Sequence, residues 1–136
     1  MNEIEFSTIK EIVTTKMKEV FSEIPYGIDH TLKVLQNAES LMLKNDVTQT
    51  ERQIIVLSAL LHDIGAIEAM HKYGSIDGKY QEIEGPAVAM KLLDGLGLGD
   101  SMIERVCYII GNHHSKDKID GRDFQIVWDA DQMEQI

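Results

Sequence analysis

Apolar residues recur at helical spacing along most of the chain, and no segment sustains residue-by-residue alternation. Ile9, Ile12, Val13, Met17 and Val20 mark a first helix from Ile4 to Phe21, ended by the turn residues Pro25-Tyr26-Gly27. A second helix opens near Asp29 as N-cap and carries His30, Val34, Ala38 and Leu41 on one stripe, with Leu35 and Met42 beside it. Thr48 or Thr50 caps a third, apolar nearly all round from Ile54 onward, which ends in Leu61-His62-Asp63-Ile64-Gly65. From Gly65 to Gln81 the period fades, and Gly74, Ser75 and Gly78 predict a long loop. A fourth helix begins at Glu84-Gly85-Pro86, with the proline in its first turn. Asp100 or Ser101 caps the fifth, which runs to Gly111-Asn112-His113-His114. After a charged loop, a last helix from about Asp123 carries Phe124, Val127, Trp128 and Asp131. The pattern predicts an all-α fold: one domain over 1–136, a bundle of five to seven helices. A first helix (1–24) precedes a core (25–136).

Composition narrows the function classes. At 136 residues the chain is long enough for one well-filled core. A net charge of −10 supplies no excess of cations for a broad nucleic-acid or anionic-membrane surface. A single cysteine, Cys107, excludes an internal disulfide and a thiolate cage. The acidic start Met1-Asn2-Glu3-Ile4-Glu5 is no signal peptide, and no uninterrupted apolar run reaches the roughly 20 residues of a membrane span. These features point to a cytoplasmic protein.

The candidate chemistry lies where polar residues interrupt apolar stripes. His30, His62-Asp63 and Asp131 each do so, on three different helices. Asp129, two positions from Asp131, points to another face. Taken singly, each is explained by one hydrogen bond or a helix cap. Together, one cation satisfies them all. Two imidazoles and two carboxylates suit one divalent ion, with Mn, Fe, Ni or Co ahead of Mg or Zn.

The order His30, Leu61-His62-Asp63-Ile64-Gly65 and Ala130-Asp131 resembles the HD superfamily of metal-dependent phosphohydrolases. The resemblance leaves out the first helix. Lys72-Tyr73-Gly74-Ser75 and Gly78-Lys79-Tyr80-Gln81-Glu82-Ile83-Glu84-Gly85-Pro86 are similar to a subgroup of small bacterial members. It implies an all-α HD domain with His30, His62, Asp63 and Asp131 as metal ligands. It also implies hydrolysis of a small phosphorylated substrate, a nucleotide first among the candidates, by attack of a metal-activated water. Glu68 and then Glu84 are the candidate acid or base groups beside Asp63. Lys72 and Lys79 are candidate phosphate contacts. Two-metal relatives carry spaced histidines between the His-Asp pair and the last aspartate. The adjacent His113-His114 departs from that spacing, so one metal is expected, with His113 or His114 as a substrate contact. His71 is read as a surface residue.

Family members continue past the Ala-Asp, whereas this sequence ends at Ile136; the apolar face with Trp128 and Met133 makes a homodimer a further expectation. The rival readings are a regulatory HD domain that binds metal or nucleotide without turnover, and a metal-free partner-binding bundle. A carboxylate-bridged diiron site would need Glu-x-x-His pairs, and the relevant helices have none.

Overall fold

The third helix occupies the centre of the bundle because it is apolar on every side. In the computed structural model, which describes residues 2–134, every residue of this helix from Gln53 to Leu61 is buried. The elements are α1 (Glu3–Val20), α2 (Pro25–Leu43), α3 (Gln49–Leu61), α4 (Ala66–Tyr73), α5 (Gly78–Leu93), α6 (Asp100–Ile110) and α7 (Arg122–Gln132). A short 3₁₀ turn spans Lys116–Lys118. Among the described residues there is no strand, and the all-α class holds. Helices α1, α2, α6 and α7 pack on α3; α5 joins through α6 and α1, and α4 lies on α5. Ile55, Leu57, Leu60 and Leu61 have no exposed surface. Each such side chain contributes about 1.5–3 kcal/mol of transfer free energy.

Of the two proposed caps for α3, the structure uses Thr48. Its Oγ1 accepts from the Glu51 amide at 3.1 Å, and Glu51 Oε1 accepts from the Thr48 amide at 2.9 Å. Arg122 closes on the same carboxylate, its Nε and Nη2 donating at 2.6 Å each. That guanidinium first, then the Thr48 contacts, hold the Glu51 carboxyl down at about 2. A depressed carboxylate stabilises the fold above its unfolded value, so this contribution fades as pH falls from about 4.5 toward 2. Thr48→Ala should cost about 1 kcal/mol in urea unfolding at neutral pH. A cost indistinguishable from zero would remove the cap from the account.

Four expectations change. The stretch from Gly65 to Gln81 is not one loop: α4 fills half of it, and only residues 74–77 separate α4 from α5. Helix α5 begins at Gly78, so Pro86 lies inside it rather than in its first turn. Helix α2 begins at Pro25, with Asp29 inside it and Ile24 at the N-cap. Helix α6 begins at Asp100, but neither Asp100 nor Ser101 caps it; Gly99 does, with no side-chain bond. Gly65 also has another role than stopping a helix. Its φ is −79°, open to any residue, but a Cβ there would lie 2.6 Å from the Gly85 nitrogen and 2.8 Å from the Gln81 carbonyl oxygen. The glycine lets the turn between α3 and α4 press onto the α5 backbone.

The stretch Gln49–Tyr73, spanning α3 and α4, is long and apolar enough by composition to cross a membrane, unlike the shorter runs expected from the sequence. Most of it is buried inside the bundle, as a core helix requires.

Candidate metal centre

Helix α3 ends at Leu61 with His62 as its C-cap, and Asp63-Ile64-Gly65 turn the chain into α4. His30 lies in the second turn of α2 and Asp131 in the last turn of α7. The structure brings these four side chains together. His30 Nε2 lies 3.3 Å from His62 Nε2, 3.4 Å from Asp63 Oδ2 and 3.2 Å from Asp131 Oδ1. His62 Nε2 lies 3.2 Å from Asp63 Oδ2 and 3.5 Å from Asp131 Oδ1. His62 is fully enclosed, Asp131 is buried, and His30 and Asp63 are half-buried. Asp129 is exposed and bonded to Gln125, so Asp131 is the inward carboxylate of α7.

The backbone fixes how the rings present themselves. His62 Nδ1 donates to the Ala59 carbonyl at 2.8 Å. His113, just beyond α6, repeats the device, with Nδ1 on the Ile110 carbonyl at 2.7 Å. With Nδ1 carrying the proton, Nε2 of each neutral ring is left as a lone pair aimed inward. The C-terminal ends of α3 and α7 converge here, and their dipoles add partial negative charge. Two imidazole Nε2 atoms and two carboxylates at 3.2–3.5 Å make one cluster, in which each ring either donates a proton to a carboxylate or, as the neutral ring, shares a cation with it. A cation satisfies all of it, and the mixed nitrogen and oxygen donors fit a divalent transition ion.

The field inside the cluster is strong. Burial works against a charged His62, but Asp63 and Asp131 outweigh it and raise its pKa well above the usual imidazole range. Burial likewise works against a charged Asp63, but His62 and His113 hold that carboxyl well below its ordinary value. Asp131 is also lowered: against the cost of burial, hydrogen bonds from His30 and His62 favour its charged form.

Asp63 faces two ways. Its Oδ2 belongs to the cluster just described, while its Oδ1 lies 3.1 Å from His113 Nε2. His113 is buried, and its ring lies 3.9 Å from that of the exposed His114. The candidate donors therefore form two groups sharing Asp63: His30-His62-Asp63 and Asp63-His113-His114. The sequence pattern placed His113 among substrate contacts; its buried position beside Asp63 could not be read from two adjacent letters.

The other candidates lie elsewhere. Glu84 is buried, with Lys72 Nζ on Oε1 and the Tyr73 hydroxyl on Oε2, both at 2.8 Å. Those two bonds, Lys72 first, lower the Glu84 pKa and tie α4 to α5. Glu68, Lys72 and Glu84 line one groove of about 310 Å³, floored by Ile64, Ile67 and Val88. Lys79 lies over the Tyr80 ring at 4.9 Å. Among the described residues, no hydrogen bond or ion pair joins Glu68, Lys72, Lys79 or Glu84 to the four-residue cluster. His71 is exposed, as expected. Cys107 is half-buried, and burial raises its thiol pKa, which suits a packing residue.

A family model described as HD domain matches residues 27–135. No curated protein and no solved structure matches the chain.

Proposed function

The chain belongs to the HD domain family, and on that premise we propose that it is a metal-dependent phosphohydrolase acting on a small phosphorylated molecule, a nucleotide above all. The observation that carries this reading is the convergence of His30, His62, Asp63 and Asp131 within 3.2–3.5 Å contacts. A regulatory domain without turnover would be marked by a missing donor, and all four positions are filled.

His30, His62, Asp63 and Asp131 would hold the ion. A divalent ion bound there supplies a lowered water pKa near neutral pH and polarisation of a phosphoryl oxygen. The chain's own residues do the rest. The Ala59 and Ile110 carbonyls keep the His62 and His113 rings from rotating. Asp63 presents one oxygen to each donor group, so the second group, with His113 and His114, is the place for a phosphate oxygen or a second cation. Gly78, at the start of α5, lies against the His114 ring; an added Cβ would sit 2.7 Å from it. Glu68 is the candidate for proton transfer. Glu84, kept ionised by Lys72 and Tyr73, is better suited to bracing α4 than to carrying a proton.

The test is chelator-stripped protein given Mn²⁺, Co²⁺, Ni²⁺ or Mg²⁺ and assayed for phosphate release from nucleoside mono-, di- and triphosphates and p-nitrophenyl phosphate. Release should rise at least about 100-fold over stripped protein with one of the first three ions. Ion binding with no release from any substrate would favour the regulatory reading. No binding at all would leave a structural bundle.

A further inference from the structure

One exposed aromatic ring lies beside the cluster and is used by nothing described so far. Tyr26 is 77% exposed, although it belongs to the first turn of a helix whose other face is core. Pro25 starts α2, and Gly27 lies so close to Phe21 that a Cβ would sit 2.5 Å from its ring, so this turn is pinned from behind. Tyr26 and His30 are four residues apart and share one helix face. Their rings are nearly parallel, at 15°, with centroids 6.4 Å apart.

Aromatic pairs fall at centroid separations of roughly 4.5–7 Å, and at 6.4 Å this pair lies toward the long end while Tyr26 keeps most of its surface open. His30 is held in addition by its contacts to His62, Asp63 and Asp131. The Tyr26 hydroxyl has no hydrogen-bond partner among the described residues. An exposed ring, fixed by a rigid turn and lying one helical turn from a metal-ligating histidine, is a surface for another flat ring.

We propose that Tyr26 is the stacking platform for the base of a nucleoside phosphate whose phosphate group lies at the His30-His62-Asp63-Asp131 cluster. The proposal rests on the phosphohydrolase reading and adds to it the ring that selects the substrate. Nucleobases are chosen over ring-free phosphates because a π-face contact rewards only a flat partner. Sequence tolerance among bases is expected, since every base offers such a face.

The experiment compares Tyr26→Ala and Tyr26→Phe with the parent protein in the Mn²⁺-loaded form. Two substrates are used: a nucleoside triphosphate, and inorganic tripolyphosphate, which has the same anhydride bonds and no ring. Tyr26→Ala should raise KM for the nucleotide roughly tenfold with kcat little changed, and leave the tripolyphosphate constants unchanged. Tyr26→Phe should behave as the parent, since the face and not the hydroxyl carries the contact. Mn²⁺ affinity of the stripped proteins, measured by calorimetry, should be the same in all three. Equal losses on both substrates, or a weakened Mn²⁺ site, would overturn the proposal and make Tyr26 a support for His30. An unchanged nucleotide KM would overturn it too. If the parent hydrolyses nothing, equilibrium dialysis of labelled nucleotide against Mn²⁺-loaded protein separates the two readings. Binding weakened roughly tenfold in Tyr26→Ala keeps the platform while the hydrolase reading fails; no nucleotide binding ends the platform as well.

Discussion

Asp63→Ala should yield a folded helical protein that no longer holds a divalent ion. Loss of an outer-shell partner already costs a metal site about 10- to 100-fold in affinity, so loss of a direct anionic donor should exceed 100-fold. Asp63 is also the residue shared by both donor groups, so its removal dismantles two sets at once. Titration calorimetry with Mn²⁺ on chelator-stripped protein measures the change, and circular dichroism checks that the helices persist. Phosphate release should fall to background with every ion. A variant whose Mn²⁺ affinity stays within threefold of the parent would place the metal elsewhere and leave His30, His62 and Asp131 as ordinary buried polar residues. Asp129→Ala is the matched control: it is exposed two positions from Asp131 and should change nothing.

Gly65→Ala is the second large effect, and its cause is steric. The added methyl would meet backbone at 2.6–2.8 Å, on Gly85 and Gln81, where no side chain can swing aside. Gly85 cannot retreat either, because its own Cα side faces Ile110; a Cβ there would sit 2.8 Å from Ile110 Cγ2. Overpacking of this kind costs about 1–3 kcal/mol, and the rigid neighbours put it at the upper end. Thermal unfolding should drop by about 10 °C, on the scale of 3 kcal/mol in a domain of this size. The turn that must move also carries Asp63, so Mn²⁺ affinity should fall in the same variant. A midpoint within 1–2 °C of the parent would show that α5 can yield here. Gly74, with open space around it, would lose stability for a different reason on substitution, its φ of +67°.

How much of this was legible in the sequence depended on which residues carry a period. Helices α1 and α3 could be read because their apolar positions recur without interruption. The four cluster residues could be read because each interrupts an apolar stripe. Helix α4 could not: it has eight residues, no side-chain cap at its start, and only Ala66 and Ala69 buried. The start of α5 was masked by inward polar residues, Gln81 and Glu84, and by Ile83, which is 61% exposed. Pro86 then read as a first-turn residue because the eight preceding helical positions lacked a clear stripe. The place of His113 depends on a hydrogen bond to the Ile110 carbonyl and on how α6 meets α3, neither of which adjacency in sequence encodes.

The Arg122–Glu51 fork, noted above as part of the α3 start, acts at a distance. It joins the first turns of α3 and α7, helices that then run side by side and end at His62-Asp63 and at Asp131. At about 1.5 Å per residue, the fork sits roughly 15 Å from the cluster. The two helices thus behave as tines of a tuning fork joined at the stem, their tips setting the width of the jaws. A substitution at Arg122 or Glu51 is therefore a change at the stem of the two helices whose far ends carry His62, Asp63 and Asp131, with every candidate ligand left in place.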